Sequence, residues 1–362
     1  MKKSNMKSMN KQTKNMLITY AMVITVFIIV EIMISTGIMS SLMQGLLVPL
    51  CIYSIVAIGL NLCVGYLGEL SLGHAGFMCV GAFSSAVFSK CMMTSGMNET
   101  LRFILAILIG TVVAAIFGWL IGIPVLRLRG DYLAIVTLAF GEIIKNLINV
   151  LYVGVDDKGI HVATSAAGLH LETGGRQILK GALGISGTGA LYKDIKGSFF
   201  LIGVILLLIT LFIVQNLVNS RSGRAIMSTR DNRIAAESVG INITKYKLLA
   251  FTISAALAGV AGVLYAHNLS LLKVSVFDYN MSILILVYVV LGGIGNIRGS
   301  IIATIILYAL PELLRGFANY RMLIYAIVLI AMMLFNWAPA ARNWRARMAE
   351  KFRGARNKKE VA

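Results

Sequence analysis

The chain is laid out as a succession of apolar runs of roughly 20 residues, parted by short polar or glycine-rich stretches, and this excludes most folds. A helical run of that length matches the hydrocarbon thickness of a bilayer, so each run is a candidate span. The candidates are residues 16–36, 46–66, 70–89, 103–126, 132–153, 198–218, 247–267, 280–292, 299–314 and 321–337. Inside hydrocarbon every backbone N–H and C=O must find a partner in the protein, which a helix supplies locally and a lone strand does not. The expectation is an all-α polytopic membrane protein of about ten transmembrane helices with no separate soluble domain. Composition agrees: 13% of residues are charged and 58% hydrophobic, where a soluble domain carries about 25% charge.

The net charge of +18 points to a membrane surface rather than to nucleic acid, because of where the charge lies. Lys2, Lys3, Lys7, Lys11 and Lys14 precede the first run. Arg342, Arg345, Arg347, Lys351, Arg353, Arg356, Lys358 and Lys359 follow the last, against Glu350 and Glu360. Lys and Arg collect on the cytoplasmic side, so both termini read as cytoplasmic, and the C-terminal tail suits anionic lipid headgroups. The division is a basic N-tail (1–15), a transmembrane domain (16–337) and a basic C-tail (338–362). The first run is longer than a signal-peptide core and lacks an A-x-A site, so it reads as a retained span. Treating 280–314 as a single span would put the basic C-tail outside; a break at Gly292-Gly-Ile-Gly-Asn296 returns it inside. Residues 127–131 and 219–246 then face inward. Residues 154–197 form the longest outward loop, either a functional surface or a loosely ordered connection.

Chemistry-bearing patterns are sparse. Cys51, Cys63, Cys79 and Cys91 lie in or near apolar runs without a C-x-x-C pair, which suits packing rather than metal or disulfides. No G-x-x-x-x-G-K-[ST], H-E-x-x-H or G-x-S-x-G occurs, so no such nucleotide or hydrolase site is expected. His74 reads as the only histidine within an apolar run; it would bond a nearby backbone group or contact substrate. Glu31 lies in the first run, and Glu142 and Lys145 lie in the fifth at helical spacing. Glu142 and Lys145 read as an ion pair or as lining of a path.

Glycines punctuate two junctions: Gly65, Gly68, Gly73, Gly76 and Gly81, and then Gly292, Gly293, Gly295 and Gly299. A G-x-x-G recurs in both. Broken helices at corresponding places mark transport pathways, while small residues also allow tight helix packing. The candidate path residues are Gly65, Gly68, Ser71, Gly73, His74, Glu142, Gly292, Gly293 and Gly295.

Between the sixth and seventh runs stand Arg230, Asp231, Asn232, Arg233, Ile234, Ala235, Ala236, Glu237, Gly240 and Ile241. Ser228 or Asp231 is placed to cap a helix, Arg233 and Glu237 are spaced i, i+4, and Gly240 is placed to end it. Ala235 and Ala236 leave a low surface, and Ile234 and Val239 offer apolar contact. The stretch reads as a docking helix for a second protein, or as an ordinary basic loop. A chain with a docking helix and no nucleotide site of its own borrows an engine.

This stretch resembles the coupling segment of ABC importer permeases, Glu-Ala-Ala, three residues, then Gly, with Ile234 in the place of the Glu. Three further stretches resemble one branch: Gly65-Tyr-Leu-Gly-Glu-Leu-Ser-Leu-Gly-His-Ala-Gly-Phe77, Leu126-Arg-Leu-Arg-Gly-Asp-Tyr-Leu-Ala-Ile-Val-Thr-Leu-Ala-Phe-Gly-Glu142 and Tyr246-Lys-Leu-Leu-Ala-Phe251. That branch is the high-affinity branched-chain amino acid permeases, M-type subunit, and the likeness runs from about residue 46 to 331. The resemblance implies the ABC importer permease fold in the bacterial inner membrane and uptake of leucine, isoleucine or valine. Relatives take other amino acids, amides or urea. It implies a homologous second permease, an extracytoplasmic solute-binding protein, and two ATP-binding subunits that hold ATP and Mg, with no cofactor in this chain. Residues 156–176 depart as extra length beside a short Gly-rich turn kept as Lys180-Gly-Ala-Leu-Gly-Ile185. The rival readings are a stand-alone ion-coupled carrier and a membrane-embedded enzyme; co-purification of an ATPase separates them from the first.

Overall fold

The structure is a computed structural model. It describes residues 11–337 apart from 95, 129, 157–158, 172–173, 190, 193–195 and 318–319. Residues 1–10 and the C-tail 338–362 lie outside the described residues. Each of the ten apolar runs is a helix: α1 Lys11–Ser35, α2 Ser41–Asn61, α3 His74–Cys91, α4 Glu99–Val125, α5 Asp131–Val150 and α6 Phe199–Asn219. After α7 Arg221–Asp231 and α8 Arg233–Ser238 come α9 Ile243–Asn268, α10 Tyr279–Gly292, α11 Ile297–Leu313 and α12 Arg321–Trp337. Among the described residues, six helices are long and apolar enough to cross a membrane: α1, α2 with its extension, α4, α5, α6 and α9.

Two of these make the centre. The most apolar window of α2 is 89% buried and that of α9 67%, while that of α1 is only 11% buried. Helix α9 packs on α2, α3 and α4. Lipid removes the hydrophobic drive between helices, so close backbone approach through small residues takes its place. A methyl placed on Gly81 of α3 would sit 2.5 Å from the Gly259 carbonyl oxygen of α9, and one on Gly259 would sit 3.0 Å from the Gly110 carbonyl of α4.

The break at 292–296 is present. Gly293 and Gly295 take φ of 97° and 78°, and Asn296 caps α11 by accepting from Gly299 N at 3.3 Å. Most ends are shifted by one to five residues, and two of the shifts change the element. The third run becomes helical only at His74, because α2 runs on as a π-helical turn, Leu62–Leu67, and Gly68 ends it at φ 78°. The fifth run stops at Val150, and Tyr152–Asp156 is a strand.

The all-α expectation needs correction between α5 and α6 and just after α9. Strands β1 Tyr152–Asp156, β2 Gly159–Ala163 and β3 Arg176–Lys180 form an antiparallel sheet in the order β2-β1-β3, with Gly154 opposite His161 and Val153 opposite Leu179. Strand β4 Ile185–Ser186 pairs with β5 Leu271–Leu272, which follows α9. Beyond the hydrocarbon, water completes an open strand edge, so the membrane rule no longer forbids strands. Each strand has five residues or fewer, too short to stand out beside runs of 20.

Buried polar groups fasten this sheet lobe. Arg102 of α4 donates from Nη2 to the Leu191 carbonyl at 2.6 Å and lies 4.9 Å over the Tyr192 ring. The Tyr192 hydroxyl donates to Ser89 Oγ of α3 at 2.7 Å, and Ser89 Oγ lies 3.0 Å from His267 Nε2 of α9.

Candidate functional site

The segment between α6 and α9 is two short helices meeting at one extended residue. Ser220 caps α7 by accepting from Gly223 N at 3.1 Å. Asn232, at φ −154° and ψ 105°, breaks the helix, and its Oδ1 accepts from Ala235 N at 3.1 Å to start α8. The expected caps are therefore corrected. Ser228 Oγ donates back to the Ala225 carbonyl at 2.8 Å, and Asp231 accepts from Arg230 Nε and Nη2 at 3.0 and 2.9 Å. Asx side chains cap best from an extended backbone, which Asn232 alone has here. Arg233 and Glu237 pair at 3.6 Å as their spacing suggested. Gly240 ends α8 at φ 84°: its N–H donates to the Glu237 carbonyl and that of Ile241 to Ala236, both at 3.0 Å.

The two alanines do different jobs. Ala236 is 3% exposed and faces the bundle, while Ala235 is exposed. Ile234 and Val239 stand out, 80% and 74% exposed. Helix α8 is thus seated by an alanine and presents two aliphatic side chains outward.

Arg230 joins this segment to the bundle. Its Nη1 donates to the Gly65 carbonyl at 2.7 Å, in the π-helical turn that extends α2. A methyl on Gly68 would collide with the Arg230 side chain. Beside it, Lys247 of α9 pairs with Glu69, their side chains 8% and 14% exposed. Leu67, Ile226 and Ala250 bury a small apolar cluster against Tyr246. The extension of α2, helix α7 and the foot of α9 therefore form one body.

That body touches the second glycine junction. Asn61, fully buried, accepts from Gly295 N at 2.8 Å through Oδ1 and donates to Ser300 Oγ at 2.9 Å. A methyl on Gly65 would sit 2.7 Å from Gly295 Cα, and one on Gly292 would sit 2.5 Å from Ser300 Cα. Gly65 and Gly295 are thus brought together at one seam, with Gly292 and Gly293 beside Gly295 in the break and Gly68 held against Arg230.

Gly73 and Glu142 lie along a second seam, where α3, α5 and α10 meet, while Ser71 and His74 turn to the other side, toward Ser254 of α9. The non-helical chain from Gly68 to Gly73 is held by Thr137 of α5, whose Oγ1 accepts from Leu72 N at 3.0 Å. A methyl on Gly73 would sit 2.7 Å from the Thr137 carbonyl oxygen. His74 does not bond backbone. Its Nε2 lies 2.7 Å from Ser254 Oγ and its Nδ1 lies 3.4 Å from Ser71 Oγ. Ser254 spends its hydroxyl hydrogen on the Gly59 carbonyl at 2.5 Å, so these partners assign the hydrogen to His74 Nε2. His74 is not alone as a buried histidine. His267 is also fully buried and takes the backbone contact expected of His74, Nδ1 to the Val263 carbonyl at 2.8 Å.

Glu142 accepts from Tyr279 N at 3.1 Å and pairs with Lys145. It thereby serves an orphan amide at the start of α10, beside Asp278, which accepts from Met281 N at 3.0 Å. Ala75 N donates to Ser282 Oγ at 3.2 Å, so α3 and α10 begin side by side with the Glu142 carboxylate at the second of these starts. The cleft between them is closed to water.

The sequence reading missed Asn61, Glu69, Thr137, Lys247, Ser254 and Ser300, which tie these seams. Only Glu69 and Lys247 carried a signal: opposite charges, each next to an apolar run. No cluster of three or more His, Cys, Asp or Glu fit for a metal occurs among the described residues.

Comparison with known proteins follows this geometry. Residues 42–335 match the family described as branched-chain amino acid transport system / permease component. The LivM permease protein of the high-affinity branched-chain amino acid transport system of Salmonella typhimurium is 36% identical over 295 residues, 80% of this chain and 67% of its own; that of Escherichia coli is the same by each measure. The LivH permease protein of that system in Salmonella typhimurium is 24% identical over 70% of this chain and 79% of its own. A nucleoside ABC transporter permease, NupC of Lactococcus lactis, is 26% identical over 56% of this chain and 60% of its own. No solved structure matches. A bundle of apolar helices with a capped, exposed helix between α6 and α9 is what such a sequence builds here, and the chain belongs to the family of permease components of branched-chain amino acid transport systems.

Proposed function

We propose that this chain is one permease subunit of an ATP-driven importer of branched-chain amino acids in the bacterial inner membrane. It works with a homologous second permease, two ATP-binding subunits holding ATP and Mg, and an extracytoplasmic solute-binding protein. The observation that carries the reading is the linkage from exposed Ile234 and Val239 on α8, through Arg230, to the Gly65 carbonyl and the Gly65–Gly295 contact. Closure of the ATP-binding subunits moves α8, Arg230 carries that motion to the turn after α2, and the seams through Gly65, Gly68, Gly292, Gly293 and Gly295 shift. The solute passes along these seams and past Ser71, Gly73, His74 and Glu142. The starts of α3 and α10 carry partial positive charge suited to a carboxylate, a place Glu142 holds in the closed state.

Ten crossings with both termini inside suit this reading. Met16 Sδ lies 3.5 Å from Asn219 Nδ2, so the start of α1 lies at the same end of the bundle as the coupling segment. The solute assignment leans on the relatives at 36% identity; the nucleoside permease at 26% makes a solute scan part of the test.

The test is reconstitution in proteoliposomes with the partner subunits and labelled leucine, isoleucine, valine and nucleosides. ATP-dependent accumulation is expected only from the full assembly. Gly240→Arg should abolish it with insertion intact, because a side chain at this positive φ costs about 1–2 kcal/mol and projects into the open space beside α8. Gradient-driven accumulation by the lone chain, or labelling of α8 from outside, would overturn the reading.

A further inference from the structure

Helix α1 is held away from the bundle by a divided seam. It touches the body at a few points: Arg298 Nε donates to Thr19 Oγ1 at 2.7 Å, and the Phe27 and Phe200 rings stand 5.4 Å apart. Between α1 and the body lie two cavities. The first, about 340 Å³, is lined by hydrocarbon apart from Ser54, with Val23, Val26, Cys51, Leu207 and Ile305 among its walls. The second, about 300 Å³, is lined by Thr19, Tyr66, Gln215, Asn219, Asn296 and Arg298. Helices α1, α6 and α11 contribute to both, α2 lines the first and its π-helical extension lines the second through Tyr66, and each gives its residues in the same axial order. The polar cavity lies at the end of the seam where α6 enters α7, and the apolar one lies deeper in the bundle.

We propose that this seam is a binding site for one phospholipid, the phosphate headgroup in the Arg298 cavity and an acyl chain in the Val26–Leu207 cavity. Three observations favour a lipid over other occupants. A polar compartment stacked on an apolar one has the shape of an amphiphile, and the apolar half runs from Met22 to Val30 along α1, about 12 Å, which suits an acyl chain and exceeds the short side chain of a branched-chain amino acid. The Thr19–Arg298 bond and the Phe27–Phe200 contact bridge α1 to the body, so a partner helix about 10 Å across could not lie along the seam without breaking them. Gln215 is 6% exposed, lines the polar cavity, and its carboxamide oxygen has no hydrogen-bond partner. A buried acceptor of that kind is satisfied by a donor from the occupant, such as the glycerol hydroxyl or ammonium of a headgroup. Arg298 supplies the cation for the phosphate. The site is independent of what the chain transports.

The test uses the full chain in nanodiscs of phosphatidylcholine with and without phosphatidylglycerol, read by native mass spectrometry after detergent release. One retained phosphatidylglycerol is expected on the wild type. Val26→Trp, which fills the apolar half from a lipid-facing helix, should remove it. Gln215→Leu and Arg298→Gln should each weaken retention roughly tenfold, the loss of one charge-assisted or buried hydrogen bond. Thermal stability of the wild type in detergent should rise with phosphatidylglycerol and not with glycerol 3-phosphate, which separates a whole lipid from a free phosphate. Equal retention by wild type and Val26→Trp, stabilisation by glycerol 3-phosphate or leucine alone, or a crosslink from position 26 to another protein chain would overturn the proposal.

Discussion

At the sheet end of the bundle, Arg102, Tyr192, Ser89 and His267 form a continuous buried polar chain across α4, the loop, α3 and α9. At the other end, α7 and α8 meet the bundle through Arg230 on Gly65, the small cluster of Leu67, Ile226 and Ala250, and buried Ala236, beside the Lys247–Glu69 pair that ties α9 to the extension of α2. The sheet end also has β4 paired to β5, so its loop is stitched to α9 on both sides. The other end instead leaves Ile234 and Val239 in the open. Hydrogen bonds linked across three helices and the loop hold them together, although Arg102 Nε itself is buried without a partner; a segment held by fewer contacts moves more readily. On the proposed function, the contrast makes one end an anchor and the other a lever.

Four substitutions break or sharpen that contrast, taken by their effect on stability. Lys247→Met leaves Glu69 nearly buried without its cation and should cost about 3–5 kcal/mol, read as thermal unfolding in detergent. The double variant Glu69→Gln with Lys247→Met should recover most of it, and a stable single variant would remove the pair from the account. Gly65→Val drives a side chain into Gly295 and should cost about 1–3 kcal/mol while stopping uptake; normal uptake would separate the glycine contact from transport. Tyr192→Phe removes the bond to Ser89 and should cost about 1 kcal/mol with uptake unchanged, as befits an anchor. Ile234→Ala should leave stability within about 0.5 kcal/mol yet weaken retention of the ATP-binding subunits on a pull-down. Equal retention would assign the coupling contact elsewhere.

A fifth measurement concerns Glu142. Glu142→Gln keeps an oxygen for Tyr279 N and loses the charge that pairs with Lys145. The expected outcome is slower uptake with a modest fall in stability; unchanged uptake would restrict Glu142 to holding the start of α10.

The helical spans were legible because burial in lipid demands long apolar runs, and all ten runs are helices with ends shifted by a few residues. The break at Gly292 was legible from the glycines and from the expectation that a basic tail lies inside, and the helix does end there. Gly240 and the Arg233–Glu237 pair were legible because caps and i, i+4 pairs are local. The cap itself was misplaced by one residue from Asp231 to Asn232, since a capping side chain needs an extended backbone that sequence does not display. The strands were hidden by their shortness, and His267 by its place at the end of a run.

The order of apolar runs and the local helix signals were determined by the sequence, because each depends on residues near one another in the chain. The meeting of Gly65 with Gly295, of His74 with Ser254 and of Arg230 with the Gly65 carbonyl was decided only by the tertiary structure. Those contacts join positions 165 to 230 residues apart. Their partners are glycine backbone and single hydroxyls, which carry no pattern until helix packing brings them together.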